Sequence, residues 1–157
     1  MKRIPDARPA RRQRGVAAVE MALMLSLMIL MLAAPLFLGR VFYHYEVAQR
    51  AVHDAAVYLS TVPQIEMKTS AQAANEAALA AAIVAEEIAG LAPGPLAPVV
   101  AVQCDGSPCA GFSVPSTIRV VVLLDMFDEA FGPYTGFLTG DNGLALTADV
   151  TMRYVGK

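Results

Sequence analysis

Hydrophobic and polar positions follow three different rhythms along this chain. Between Gly15 and Gly39 they hardly alternate: VAAVEMALMLSLMILMLAAPLFL is apolar throughout except for Glu20 and Ser26. A helix of that length spans ~35 Å at 1.5 Å per residue, enough to cross a hydrocarbon layer of ~30 Å. From Arg40 to about Ser60 the period becomes helical and one-sided. Val41, Tyr45, Ala48, Val52, Ala55 and Leu59 draw an apolar stripe, while Glu46, Arg50 and Asp54 form an i, i+4 ladder opposite. These two stretches predict one continuous helix ending near Pro63, with Pro35 tolerated or kinked one turn before the membrane exit. An alanine-rich helix follows from about Thr69 to Ala89, with Ser70 as cap and Gly90 as stop, its small side chains suited to close packing on the first helix.

After the breaker LAPGPLAP, residues 91–98, the rhythm shortens. Pro98–Gln103 and Ser116–Asp125 read as apolar strands. In Leu144–Tyr154, Leu144, Leu146, Ala148, Val150, Met152 and Tyr154 face one way, and Thr147, Asp149, Thr151 and Arg153 the other. A sheet that is apolar on one face needs a cover, and the helices supply it. The predicted class is therefore α+β: a membrane-spanning helix continuing into a head with a second helix and a small antiparallel sheet.

Charge gives this layout a direction. Lys2, Arg3, Arg8, Arg11, Arg12 and Arg14 stand against the single acid Asp6 in the first 15 positions, leaving six of the 12 basic and 13 of the 14 acidic residues to the remainder, a net of −7. A basic arm could serve nucleic acid, but directly before an apolar span it is better explained as the flank retained inside during insertion. The head then lies outside, with Phe37, Phe42, Tyr43 and Tyr45 around Arg40 as an aromatic belt at the exit. A cleaved secretory signal fits poorly. The apolar run exceeds the usual core, Glu20 sits near its start, and the small-residue site LAA is followed by Pro35. Arg11 and Arg12 are not followed by the apolar residues of a twin-arginine signal.

Glu20 carries the sharpest question, since an unpaired carboxylate in lipid is costly. Gly15, between the basic segment and the helix, is a candidate cleavage point. A cut there frees the Val16 amine and makes Glu20 the fifth residue, where a carboxylate favours both the helix dipole and a nearby amine. RRQRG followed by VAAVE and a long apolar helix resembles the leader and N-terminus of type IV prepilins. The stretch from Arg11 to Ser60 is similar to the TadE-like pseudopilins of the tight-adherence (Flp) pilus system, and LALTADVTMRYV resembles the closing strand of that family.

That resemblance implies a division into a basic leader (1–15), a transmembrane helix (16–39), its amphipathic continuation (40–62) and a periplasmic head (63–157). It implies a bacterial inner-membrane protein with its N-terminus cytoplasmic, cut between Gly15 and Val16 by a membrane prepilin peptidase. Glu20 would pair with a mature N-terminus during assembly. The implied partners are that peptidase, other pseudopilins and pilins, and the inner-membrane pilus assembly platform, with no nucleic acid and no cofactor. Met21 replaces the tyrosine usual after this glutamate in Flp pilins, which are also much shorter than the 142 of 157 residues that cleavage would leave. Both departures point to a minor pseudopilin. The alternative is a single-pass anchored binding or scaffold domain that is never processed.

Other residues add little catalytic chemistry. Cys104 and Cys109 enclose the turn-forming DGSP and are expected to bridge outside the cytoplasm, contributing about 2 kcal/mol. His44 and His53 fall on opposite sides of a helix, so they are expected at the surface or an interface and not on one metal. Asp125, Asp128 and Glu129 match no calcium loop and read as a solvated acidic patch. The long connection Met126–Gly143 carries Phe127, Phe131, Tyr134 and Phe137, candidates for core closure or partner contact. No phosphate-binding loop or paired nucleophile and base appears, so an enzyme is not expected.

Overall fold

The computed structural model describes residues 13–91, 94–128, 132, 136, 140 and 143–157. Helix α1 runs unbroken from Gln13 to Thr61 and contains Pro35. Two shorter helices follow, α2 (Gln64–Lys68) and α3 (Ser70–Ile88). Strands β1 (Val99–Cys104), β2 (Ser107–Pro108), β3 (Thr117–Met126) and β4 (Leu144–Arg153) pair antiparallel in the order β2-β1-β3-β4. The layout is α+β: a long apolar N-terminal helix whose second half, with α3, covers one face of a small antiparallel sheet.

The period of two predicted for the last strand holds. Ile118, Val120, Val122, Leu124 and Met126 of β3 are buried beneath the helices, with Ala148 opposite Val122 on β4, while Thr117, Arg119, Leu123, Thr147 and Asp149 are exposed on the outer face. On that outer face Arg119 donates to the Asp149 carboxylate at 3.1 and 3.2 Å. The helix layer closes on small residues. Ala48, Ala51, Ala55 and Ala56 of α1 and Ala73 and Ala80 of α3 are buried, so the backbones approach and Val52, Leu59, Val84 and Ile88 reach the sheet. Between the helices, half-buried Tyr58 donates its hydroxyl to Glu76 at 2.5 Å, and this acceptor pushes the phenol pKa up to about 12.

Four expectations change. Tyr45 stays 39% exposed and leaves the buried stripe, which runs instead through Phe37, Val41, His44, Ala48, Ala51, Val52, Ala55 and Leu59. Phe37 also leaves the aromatic belt, because it packs with Val41 and Met126 under the near end of the sheet; Phe42 and Tyr43 remain well exposed on the other side of the helix. At α3 the cap position is Thr69, not Ser70, and the Thr69 hydroxyl turns back to the Ile65 carbonyl. His53 is exposed as expected; His44 is buried against the head, where its Nδ1 donates to the Arg40 carbonyl at 2.8 Å.

The chain's C-terminal residues close the far end of α1. Val155 N–H donates to the Ser60 carbonyl at 3.0 Å, the Tyr154 hydroxyl to the Val62 carbonyl at 2.6 Å, and Gln64 N–H to the Lys157 carbonyl at 3.3 Å. The first two bonds satisfy carbonyls at and just past the end of α1, and the third an N–H at the start of α2. Gly156 fits there because a Cβ would run into the Val62 carbonyl.

Candidate functional site

Helix α1 divides into a bare half and a covered half. Every described side chain from Val16 to Leu32 is exposed, and burial begins at Ala33 and Phe37. The bare stretch is about 25 Å long. An 18-residue window of this helix reaches a mean hydropathy of 2.5 with 11% of it buried, making it one helix long and apolar enough to cross a membrane. So much contiguous apolar surface exceeds what a soluble face carries.

Glu20 sits within this apolar surface. It lies one turn beyond Val16, and Gly15, Val16, Val19, Glu20 and Leu23 together line one open groove on the helix. Gly15 has open space around its α-carbon, so the backbone at the candidate cut is unobstructed by the described residues. The helix is described from Gln13 onward, so the candidate cut lies in helical backbone. Geometry therefore gathers Gly15, Val16 and Glu20 at one end of the bare helix. Residues 15–57 match the TadE-like protein family. That TadE-like segment starts at the candidate cleavage glycine and ends within the last turns of α1. Comparison with curated proteins and with solved structures returns no match.

Beyond the TadE-like segment, Cys104 and Cys109 form a disulfide with Cα atoms 4.9 Å apart. It staples the β1–β2 hairpin, whose two-residue turn is Asp105-Gly106 with φ of 50° and 81°. Two positive φ values are the mirror-image turn that suits a tight hairpin, and Asp-Gly is its preferred sequence. Sequence reasoning read this segment as a turn but missed what Asp105 does. Its carboxylate accepts from the backbone N–H of Ser116 at 3.0 Å and of Thr117 at 2.9 Å, and from both hydroxyls at 2.6 and 3.1 Å. These bonds tie the hairpin turn to the start of β3 and lower the Asp105 pKa to about 2, hydrogen bonding by Ser116 being the largest cause. A lowered folded-state pKa contributes stability that is complete above the unfolded value near 3.8 and is lost as pH falls toward 2. Carboxyl NMR titration is expected to give a midpoint near 2 for Asp105, and Asp105→Asn should flatten the acid limb of the stability curve. A midpoint near 3.8 would contradict the clamp.

The same loop passes over the start of α3. Gly111, at φ 72°, lies where a Cβ would stand 2.5 Å from Ser70 backbone atoms, so only glycine allows this approach. Of the aromatic connection, Phe127 is half-buried and packs against Gly94 and Gly143, joining the segment before β1 to the start of β4. Phe131, Tyr134 and Phe137, like Glu129 and most of the basic leader, lie outside the described residues. No cluster of three His, Cys, Asp or Glu able to hold a metal occurs among the described residues.

Proposed function

We propose that this chain is a minor pseudopilin of a tight-adherence (Flp) pilus system, a structural and assembly component with no catalytic role. On this reading it sits in the bacterial inner membrane with its N-terminus cytoplasmic and its head periplasmic. A prepilin peptidase removes residues 1–15. The freed helix then packs among other pseudopilins and pilins at the assembly platform, either in the fibre or at its base.

One observation carries the reading. The TadE-like match begins at Gly15, on a bare apolar helix whose charged residue Glu20 lies one turn past the amine that cleavage would expose. Moving such a helix from lipid into a bundle costs little apolar contact. It lets a carboxylate and an amine, each unfavourable alone in a low dielectric, meet. The deciding experiment is intact-mass and N-terminal analysis of the protein made with and without an active prepilin peptidase. The expected mature chain starts at Val16 only when the peptidase is present. A chain that keeps residues 1–15 beside an active peptidase overturns the proposal in favour of an unprocessed single-pass anchor.

A further inference from the structure

The bare half of α1 is shorter than the layer it has to cross. Val16–Leu32, exposed throughout, is about 25 Å long, against ~30 Å of hydrocarbon. A crossing takes about 20 residues, so one counted from Val16 reaches Leu36 and one counted from Glu20 reaches Arg40. Tilt only carries the boundary further along the helix. Phe37, at that boundary, is 3% exposed because the head covers it, while Leu36 and Leu38 beside it remain open at 58% and 40%. The head therefore begins where the hydrocarbon ends, with no length of free helix between them.

Topology decides which part of the head lies there. Phe37 and Val41 pack with Met126 and Leu144, whereas Ser60 and Val62 bond Val155 and Tyr154 beyond the opposite end of the sheet. The end of β3 and the start of β4 thus face the membrane. So does the start of β1, since Val99 pairs with Leu123 near the end of β3. Gly94 packs on Phe127, which places the linker before β1 at the same end.

This end has the surface of an interfacial segment. Pro95–Val99 is exposed at every position, and no charged residue occurs from Leu91 to Gln103. On the outer face of the sheet, Val99 and Leu123 form an exposed apolar pair, and two rows farther from the membrane the same face carries Gln103, Arg119 and Thr151. On the other side of α1, Phe42 and Tyr43 stand exposed at the same height, as rings at a headgroup layer do. Acids limit the depth. Asp125 and Asp128 at the end of β3, with Glu86 and Glu87 in the last turn of α3, stay among headgroups, so the linker enters deepest. We propose that the membrane end of the head is a lipid-binding surface, Pro95–Val99 lying in the outer interfacial layer of a zwitterionic bilayer. It rests on the membrane-anchored reading above and adds that the head lies on the bilayer and is not held clear of it. Entry into a helix bundle then also requires lifting this surface from lipid.

The chain has no tryptophan, so a single indole can report one position. Full-length Leu96→Trp, Phe112→Trp and Leu32→Trp variants are each reconstituted in phosphatidylcholine vesicles, with and without bromine on the upper acyl chains. Leu96 is 51% exposed in the linker, Phe112 is 90% exposed on the loop before β3 at the opposite end of the head, and Leu32 is 49% exposed at the outer end of the bare helix. Leu96→Trp is expected to emit to the blue and to lose about half its emission to brominated lipid, its ring lying within the interfacial depth of ~5–10 Å. Phe112→Trp should emit as in water and stay unquenched. Unquenched emission at Leu96→Trp overturns the proposal, and a blue shift without quenching would assign the linker to another protein surface. Equal quenching at Leu96→Trp and Phe112→Trp overturns it as well. Leu32→Trp separates the two readings: quenching there without quenching at Leu96→Trp rejects the lipid contact alone, whereas none at Leu32→Trp rejects the membrane anchor itself.

Discussion

Leu59→Ala is expected to lower the stability of the head by about 3 kcal/mol, within the usual range of about 2–5 for a buried leucine truncated to alanine. Leu59 is fully buried in the core where α1 meets α3 and the sheet, among Val52, Met67, Val84, Ile118 and Val120. Deleting its isobutyl group removes favourable burial and opens a cavity that rigid neighbours fill poorly. Alanines on the facing helices have no side chain to move in. Val57→Ala, two residues earlier and 42% exposed, should change stability by no more than about 0.5 kcal/mol. The chain has no tryptophan, so the comparison is best made by pulse proteolysis of detergent-solubilised protein across a urea series. Equal midpoints for the two variants would mean that the second half of α1 is not part of the head's core. Neither substitution touches the bare half of the helix, so membrane insertion should be unchanged in both.

How much of this was legible in the sequence depends on how local each cause was. The alternation from Leu144 to Tyr154 sorts inward from outward residues before any coordinates, because a strand's period is set by its own backbone. The helix from the basic segment to Thr61 was legible for the same reason, as was the pairing of two cysteines five residues apart across a turn. What escaped depends on where separate elements meet. Phe37 reads as a belt aromatic until the near end of the sheet is seen to cover it. His44 reads as a histidine of the surface or an interface until Val41 and Met126 turn out to pack beside the same face. The hydrogen bond from Tyr58 to Glu76 joins residues 18 positions apart on different helices, and no spacing rule announces it. Asp105 is an intermediate case. Asp-Gly signals the hairpin, but the bonds to Ser116 and Thr117 exist only because β3 returns beside β1. Both five-residue α2 and two-residue β2 are too short to show a period at all.

Glu20→Ala is expected to leave the protein in the membrane and to remove it from assembled complexes. Insertion depends on the apolar run and its flanking charge, and deleting a carboxylate only makes that run more apolar, so the membrane fraction should not fall. Assembly is different, because the bare helix carries no other acid or base between Val16 and Leu38. Any charged contact that fixes its height against neighbouring helices must use Glu20, and the exposed Val16 amine of a neighbour is the partner the proposal assigns. Removing one member of a buried pair strands the other, at a cost of about 3 kcal/mol, which corresponds to incorporation reduced on the order of a hundredfold. Glu20→Gln separates charge from shape: it keeps the side chain's length and hydrogen bonding but not its charge. If pairing with an amine sets the register, the glutamine variant should fail nearly as badly as alanine when co-purification with partner pilins is measured. Wild-type recovery with glutamine would reduce Glu20 to an ordinary polar contact. Loss of membrane insertion in the alanine variant would instead make it part of the anchor.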